Sequence, residues 1–152
     1  MMRVFAAFVA LPCLAPPALA QEPDYDDAFT ATCLQDAALA QEKVACIGAS
    51  SLACLQDGGG SYVESYCFGR ELAFWDDRLN AVYQTQMAAA RADDPLLADR
   101  LRDLQRAWIG YRDARCDAVF AAWGEGTGQI PALLECLMRT TAAQTLFLED
   151  GL

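Results

Sequence analysis

The fold is decided by one stretch of the chain, SYVESYCFGRELAFWDDRLNAVYQTQMAAARA, which occupies residues 61–92. A mostly apolar stripe recurs in it at spacings of three and four, which places its members on one face of an α-helix. The stripe comprises Phe68, Leu72, Trp75, Leu79, Val82, Gln86 and Ala90. This spacing predicts a long helix over residues 61–92 that packs against a partner helix.

Both ends of this helix are marked by residues that stop or start helices. The glycines of residues 58–60 have no preference for helical dihedrals, so helical structure is expected to end there. Ser61 and Glu64 fit a capping box, in which both side chains accept hydrogen bonds from unpaired backbone N–H groups. At the other end, Asp94 can cap a further helix whose first turn accommodates Pro95.

Two further helices are predicted on the C-terminal side, over about residues 95–122 and from the glycine-rich loop 124–128 to about Glu149. The first is expected to bury Leu101, Leu104, Trp108, Val119 and Trp123. The second is expected to bury Ile130, Leu134, Leu137, Thr141 and Leu148. Two helical stretches, residues 24–39 and 41–56, precede the long helix, and strand signals are scarce. Because short connections favour antiparallel neighbours, the sequence predicts an all-α antiparallel bundle of about five helices.

The first twenty residues have the layout of a secretory signal peptide. The basic start Met1-Met2-Arg3 is followed by the apolar run 4–14 and by a small-residue cleavage site at Ala18-Leu19-Ala20. The run is too short to cross a bilayer, for which a helix needs about 20 apolar residues. We expect residues 1–20 to be removed, which leaves a single domain, residues 21–152, in the periplasm or outside the cell.

The chain is acidic, with 21 acidic and 11 basic residues. Arg3 leaves with the predicted signal peptide, so the net charge changes from −10 for the whole chain to −11 for the mature part. Such a surface repels nucleic acid and anionic lipid and attracts a cationic partner. We therefore expect no nucleic-acid partner and no stable membrane span. The acidity has two possible explanations: it attracts a cationic partner, or it only keeps an exported protein soluble.

The cysteines that follow the predicted signal peptide are Cys33, Cys46, Cys54, Cys67, Cys116 and Cys136. An even count in a small exported domain indicates disulfides, and zinc is disfavoured because the chain has no histidine and no CxxC pair. The sequence allows many connectivities. Pairing in sequence order is favoured because each such pair flanks one predicted turn. Cys46 and Cys54, by contrast, are expected on one helix about 12 Å apart, beyond disulfide reach.

The sequence argues against catalysis. Without histidine, the usual general base and the usual activation of a serine or cysteine nucleophile are missing. The acidic pairs 26–27, 76–77 and 93–94 are adjacent residues, so on a helix their side chains diverge by roughly 100°. No glycine-rich phosphate loop follows a strand. We expect no catalytic activity, cofactor or metal, and a hydrolase with an unrecognised carboxylate site is the alternative.

A polar group is expected inside the predicted bundle. Gln105 and Arg112 fall on a stripe that is predicted to be buried, and buried polar groups must find partners. We expect Arg112 to pair with an acid of the long helix, either Glu71 or Asp76. Asn80 is expected to belong to the same structural polar core. The alternative is that Arg112 contacts a ligand.

Three segments carry a recognisable pattern. They are Cys67, then Asp77-x-Leu79-Asn80-x-x-Tyr83, then Leu101-Arg102-x-x-Gln105-Arg106-x-Trp108-Ile109-x-Tyr111-Arg112-Asp113-x-x-Cys116, before a Gly/Thr loop and Cys136. This pattern resembles the LprI-type lysozyme-inhibitor domain of small exported bacterial proteins, over about residues 54–148. The chain departs from the family pattern in three respects. Residues 24–53 look like an N-terminal addition, Gln144 stands where many members have arginine, and a convincing lipobox is lacking.

The resemblance implies a helical exported domain that inhibits lysozyme-like muramidases, with a cationic lysozyme as its partner. A structural or assembly protein of the bacterial envelope is the alternative. An inhibitor needs a protruding element, and loops 58–62 and 123–129 are candidates because each is glycine-rich and flanked by an aromatic residue. The candidate contact residues are Gly59, Tyr62, Trp123, Glu125 and Thr127. Otherwise both loops simply connect helices.

Overall fold

The computed structural model describes residues 22–151, which form α-helices joined by short connections. The elements are α1 (Ala28–Asp36), α2 (Ala40–Ala45), α3 (Ala49–Cys54), a 3₁₀ turn (Leu55–Asp57), α4 (Ser61–Asp93), α5 (Pro95–Ala122) and α6 (Gln129–Glu149). The predicted all-α fold is confirmed. The predicted signal peptide, residues 1–20, lies outside the described residues. Between residues 22 and 151, no helix combines the length and the apolar character that crossing a bilayer requires.

The three long helices α4, α5 and α6 form an up-down-up bundle. Asp94 alone connects α4 to α5, so these helices run antiparallel. Gln129 Nε2 donates to the Phe120 carbonyl at 3.2 Å, which fixes the antiparallel turn between α5 and α6. The third pair, α4 and α6, is parallel. Thr145 Oγ1 donates to the Trp75 carbonyl and, further along both helices, Gln86 Nε2 donates to the Leu148 carbonyl, so residue numbers increase in the same direction. Their contact is the most extensive between elements of the described chain.

The short helices α1–α3 pack on α4 and α6, on the side away from α5. Leu34 of α1 enters a buried cluster together with Trp75, Met138, Ala142 and Leu146. A second buried cluster joins α4 to α5 and to the end of α6 through Leu79, Met87, Ala90, Ala98, Leu101 and Leu148. The parallel α4–α6 pair is therefore covered by apolar contacts on two sides.

Three disulfides join the cysteines of the described chain in sequence order, as predicted: Cys33–Cys46, Cys54–Cys67 and Cys116–Cys136. The first links α1 to the end of α2, the second links α3 to α4, and the third links α5 to α6. The prediction of one continuous helix over residues 41–56 is wrong. Gly48 adopts a left-handed φ of 98° between α2 and α3, so Cys46 and Cys54 lie on separate short helices.

The two predicted caps have different outcomes. Asp94 caps α5 as predicted, because its Oδ1 accepts a hydrogen bond from the Leu96 N–H at 2.8 Å. The predicted capping box is wrong. Gly60 occupies the position before α4, which makes Ser61 the first helical residue, and no side chain caps this end. Because Gly60 has no side chain, the residue in the capping position has no acceptor to offer to the first N–H groups of α4.

Three residues that were predicted to be buried are exposed: Leu104, Trp123 and Ile130. Leu104 lies toward the outer side of α5, because the side that packs on the bundle carries Leu101 and Gln105. Trp123 lies just past the end of α5, beyond the last turn that α4 and α6 can cover. Ile130 lies in the first turn of α6, where Pro131 takes the buried position instead.

Candidate functional site

The up-down-up order brings both glycine-rich loops to the same end of the bundle. Loop 58–62 leads into α4, whereas loop 123–129 joins the end of α5 to the start of α6. We call this region, formed by both loops and the adjoining helix turns, the loop end. The disulfides Cys54–Cys67 and Cys116–Cys136 both staple helices close to it. Two loops that lie 60 residues apart in sequence thus form one rigidly supported surface.

An open cleft of about 460 Å³ lies between the three long helices at the loop end. Its apolar walls include Phe68, Val119, Trp123 and Pro131. Its charged walls comprise Glu64, Arg115, Glu135 and Arg139. Arg139 Nε pairs with Glu135 Oε1 at 2.8 Å, and Arg115 Nη1 donates to Thr140 Oγ1 at 3.3 Å. The cleft can therefore offer both an apolar floor and fixed charges to a protein partner.

Trp123 is displayed on this surface in a defined position. Its indole lies so close to Gly128 that a Cβ on that glycine would be 2.7 Å from Cε3 of the indole. Such a separation is shorter than any normal carbon–carbon contact, so the packing requires glycine at this position. Even so, Trp123 remains 57% exposed. A large aromatic ring that is held on one side and open on the other suits recognition of a protein.

The candidate contact residues of both loops lie at the loop end and are exposed. Tyr62, in the first turn of α4, is 61% exposed. Gly59 lies in the segment where Gly58 and Gly60 adopt positive φ values of 119° and 142°. Glu125 and Thr127 lie in the connection between α5 and α6. The structure brings these residues together, and their role in binding stays a prediction.

The acidic N-terminal segment approaches the same end. Residues 22–42 contain six carboxylates and no basic residue. The Tyr66 hydroxyl donates to Glu22 Oε2 at 3.4 Å, and the Arg70 guanidinium lies 5.7 Å from the centre of the Tyr25 ring. These contacts hold the start of the segment along the first turns of α4. Asp24 and Asp26 lie beside Cys54 and Gln56, just before loop 58–62, whereas Glu42 precedes Lys43, which pairs with Asp150 at the opposite end of the bundle. The negative strip that borders the loop end is therefore formed by residues 22–27.

Glu71 holds this segment in place, whereas the sequence pattern had indicated it as a partner of Arg112. Its carboxylate is fully buried and accepts hydrogen bonds from the backbone N–H groups of Gly48 and Ser51, at 2.8 and 2.7 Å. It also accepts hydrogen bonds from Thr30 Oγ1 and Trp75 Nε1, both at 3.1 Å. A signal was present, because Glu71 lies four residues from Cys67 and from Trp75 on the buried face of α4. A carboxylate on such a face must gather several donors.

Burial raises the pKa of the Tyr25 phenol well above its ordinary value, and the negative charge of Glu71 adds to this shift. Removing the phenol proton would place a second negative charge near the Glu71 carboxylate in a poorly solvated region. Tyr25 therefore stays neutral at all physiological pH values and serves as a packing residue between Arg70 and the buried carboxylate.

The predicted polar core is only partly correct. Gln105 is buried, and its Oε1 accepts a hydrogen bond from Gln144 Nε2 at 2.8 Å. The predicted pairing of Arg112 with Glu71 or Asp76 is wrong. Arg112 instead donates from Nε and Nη2 to Asp113 Oδ1, at 2.9 and 2.8 Å, and its guanidinium lies 5.1 Å from the centre of the Trp108 ring.

The reason for this error is the position of the two acids. Glu71 faces α1 and α3, where four donors already surround it. Asp76 lies on the exposed side of α4 and accepts a hydrogen bond from Asn80 Nδ2 at 3.2 Å. Asn80 is thus exposed, which corrects its predicted place in the core. In the part of the chain that the structure describes, no group of three or more Cys, Asp or Glu side chains could hold a metal ion.

Comparison with known proteins gives a family but no solved structure. The family model described as "Lysozyme inhibitor LprI" matches residues 54–148. An uncharacterized 17.7 kDa protein in the puhA 5' region of Rhodobacter capsulatus is 28% identical over 134 residues, which cover 79% of this chain and 82% of that protein. An uncharacterized protein of Rhizobium meliloti is 34% identical over 95 residues, which cover 55% of this chain and 68% of that protein. No solved structure matches significantly.

The matched region begins at Cys54 and includes α4, α5 and nearly all of α6. It contains two of the three disulfides, the buried Glu71 and both walls of the cleft at the loop end. The helices α1 and α2 lie outside it. Because the match covers more than half of the sequence, the chain belongs to the LprI family of lysozyme inhibitors.

Proposed function

We propose that this protein is an exported inhibitor of lysozyme-like muramidases and that it binds the enzyme through the loop end. Membership in the LprI family supports inhibition as the activity. Three disulfides support export, because disulfides persist in oxidising compartments outside the cytoplasm. The protein acts by binding and performs no chemistry of its own.

One observation above all supports the loop end as the inhibitory surface. Two glycine-rich loops, each with an exposed aromatic residue, meet at one end of a disulfide-stapled bundle. Exposed aromatic residues on a rigid support lose little conformational entropy on binding, so they contribute strongly to affinity. Trp123 fits this description best, because its indole is fixed against Gly128. It is our choice for the residue that enters the enzyme's substrate cleft.

Charge supports a cationic enzyme as the partner. The four carboxylates of residues 22–27 border the loop end, and that segment contains no basic residue. Such a strip accelerates the approach of a cationic protein, and added salt weakens the attraction because it screens exposed charges. The strip therefore contributes to the rate of association, whereas the aromatic residues contribute to the lifetime of the complex.

The test is a titration of the oxidised protein against a panel of cationic lysozymes at low and high salt. We expect inhibition near one-to-one stoichiometry that weakens as salt is added. Trp123→Ala should weaken inhibition by roughly tenfold or more, as loss of a central aromatic contact does. Phe147→Ala is the matched control, because Phe147 is also exposed but lies near the end of α6, away from the loops.

Two double variants test whether the acidic strip accelerates association through long-range electrostatic attraction. Asp24→Asn with Asp27→Asn should slow association, whereas Asp77→Asn with Asp103→Asn should change it less, since those residues lie away from the strip. Binding without inhibition would overturn the proposed activity in favour of a structural or assembly role in the envelope. Absence of both binding and inhibition across the panel would overturn the proposed partner as well.

A further inference from the structure

A second depression lies on the opposite side of α4 from the short helices. Two neighbouring hollows of about 340 and 270 Å³ run between α4 and the middle of α5. Both are walled by Asp76 and Arg112, so they form one continuous groove. None of its lining residues is shared with the cleft at the loop end. We call this depression the α4–α5 groove.

Arginines are concentrated in this groove of an otherwise acidic protein. Arg102, Arg106 and Arg112 line it together with Asp76, and Arg102 is paired with Asp99 at 2.8 Å. Arg106 forms no ion pair with any residue between 22 and 151. Arg112 donates from Nε and Nη2 to Asp113. Its Nη1 takes part in neither of these two hydrogen bonds. Arg106 can therefore offer its whole guanidinium fork, which matches the geometry of a carboxylate, and Arg112 can add one further hydrogen bond from Nη1.

The rest of the lining suits a sugar. Tyr83 is half-buried, and an aromatic ring of this kind can pack against the C–H face of a pyranose. Trp108 also lines the groove, but its ring already carries the Arg112 guanidinium, so it serves to hold that arginine in place. Asp76 accepts hydrogen bonds, and Asn80 can both donate and accept them, which are the properties that hydroxyl and acetamido groups require. Sites for small ligands are usually lined by apolar side chains with a few polar groups, and the groove has this composition.

The same residues carry the pattern that marks the family domain in the sequence. Asn80, Tyr83, Gln105, Arg106, Trp108 and Arg112 all line the groove. Inhibition through the loop end uses none of them. We propose that the α4–α5 groove binds a saccharide that carries a carboxylate, with Arg106 and Arg112 Nη1 holding the carboxylate, Trp108 positioning Arg112, and Tyr83 packing on the sugar ring.

The test uses two sugars that differ only in the acid. N-acetylmuramic acid is N-acetylglucosamine with a lactyl ether that bears a carboxylate. Each is titrated into the oxidised protein while the indole N–H resonances are followed by NMR, with Trp108→Phe used to assign the resonance. We expect saturable shifts of the Trp108 resonance with N-acetylmuramic acid. Binding of N-acetylglucosamine should be roughly tenfold or more weaker, because the charged hydrogen bonds are lost.

Variants and a second ligand make the outcome decisive. Arg106→Gln should weaken binding of N-acetylmuramic acid roughly tenfold, whereas Arg100→Gln, an exposed change on α5 outside the groove, should leave it unchanged. Equal binding of both sugars, or no effect of Arg106→Gln, would overturn the proposal. So would equally tight binding of D-lactate alone, which would indicate a simple anion site. Trp123→Ala must leave sugar binding intact, so failure of lysozyme inhibition and failure of this proposal are distinguishable.

Discussion

Gly128 and Trp123 are in contact across the turn between α5 and α6, and the indole occupies the space that a Cβ at position 128 would need. Gly128 has φ −77° and ψ −10°, a conformation that any residue can adopt. Its lack of a side chain therefore serves the indole and not the backbone. This contact fixes the most exposed large aromatic ring of the cleft.

Gly128→Ala should consequently displace the Trp123 indole without altering α6. We expect a shift of the Trp123 indole N–H resonance and weaker lysozyme inhibition, with little change in the free energy of unfolding, because the indole is 57% exposed and can move outward. Gly126→Ala is the control, because a Cβ there meets no atom within 4 Å. An unchanged indole resonance in Gly128→Ala would show that the ring is not held by this contact.

Glu71→Gln should destabilise the protein although it changes one atom. The carboxylate accepts four hydrogen bonds, and the amide of glutamine would turn an N–H toward a backbone or hydroxyl donor. We expect a loss of about 2–4 kcal/mol in the free energy of unfolding, measured by urea denaturation. Asp77→Asn, an exposed change on the same helix, should cost no more than about 0.5 kcal/mol. Equal stability of the two variants would contradict the conclusion that the Glu71 carboxylate holds α1 and α3 on α4.

Arg112→Leu should have a small effect on stability. Arg112 pairs with its sequence neighbour Asp113 at the surface, and its guanidinium packs on Trp108. Neither contact joins α5 to another helix, so we expect a loss of at most about 1 kcal/mol by urea denaturation. A loss above about 3 kcal/mol would be the signature of a buried ion pair between helices. Sugar binding by the α4–α5 groove, in contrast, should weaken.

Tyr25 should make the protein sensitive to alkali. Its pKa is raised in the folded state, so folding retains the phenol proton that the unfolded chain releases above its ordinary pKa of about 10. The stabilisation from this group is therefore complete below pH of about 10 and is lost as the pH rises toward the folded-state pKa. The urea midpoint of the parent protein should fall faster between neutral and strongly alkaline pH than that of Tyr25→Phe. Parallel pH profiles would exclude this linkage.

The long helices and the cysteine pairs follow from local sequence patterns. The stripe from Phe68 to Ala90 is a local property, because side chains three or four apart share a helix face wherever the helix lies. Asp94 and Pro95 likewise start α5 through contacts within one turn. The cysteine pairs could be predicted because each one flanks a single predicted turn. The helix break at Gly48 could not, since its backbone N–H is held by Glu71, 23 residues away.

Which polar groups meet, and where the loops lie, depends on how the helices pack against one another. Arg112 and Glu71 have suitable charges and share a helical pattern, but α4 directs Glu71 toward α1 and α3 while α5 packs on another side. Loops 58–62 and 123–129 form one surface because three helices alternate in direction, which no local pattern encodes. The physical reason is that helix periodicity acts over a few residues, whereas a hydrogen bond between helices depends on how whole faces are rotated against each other.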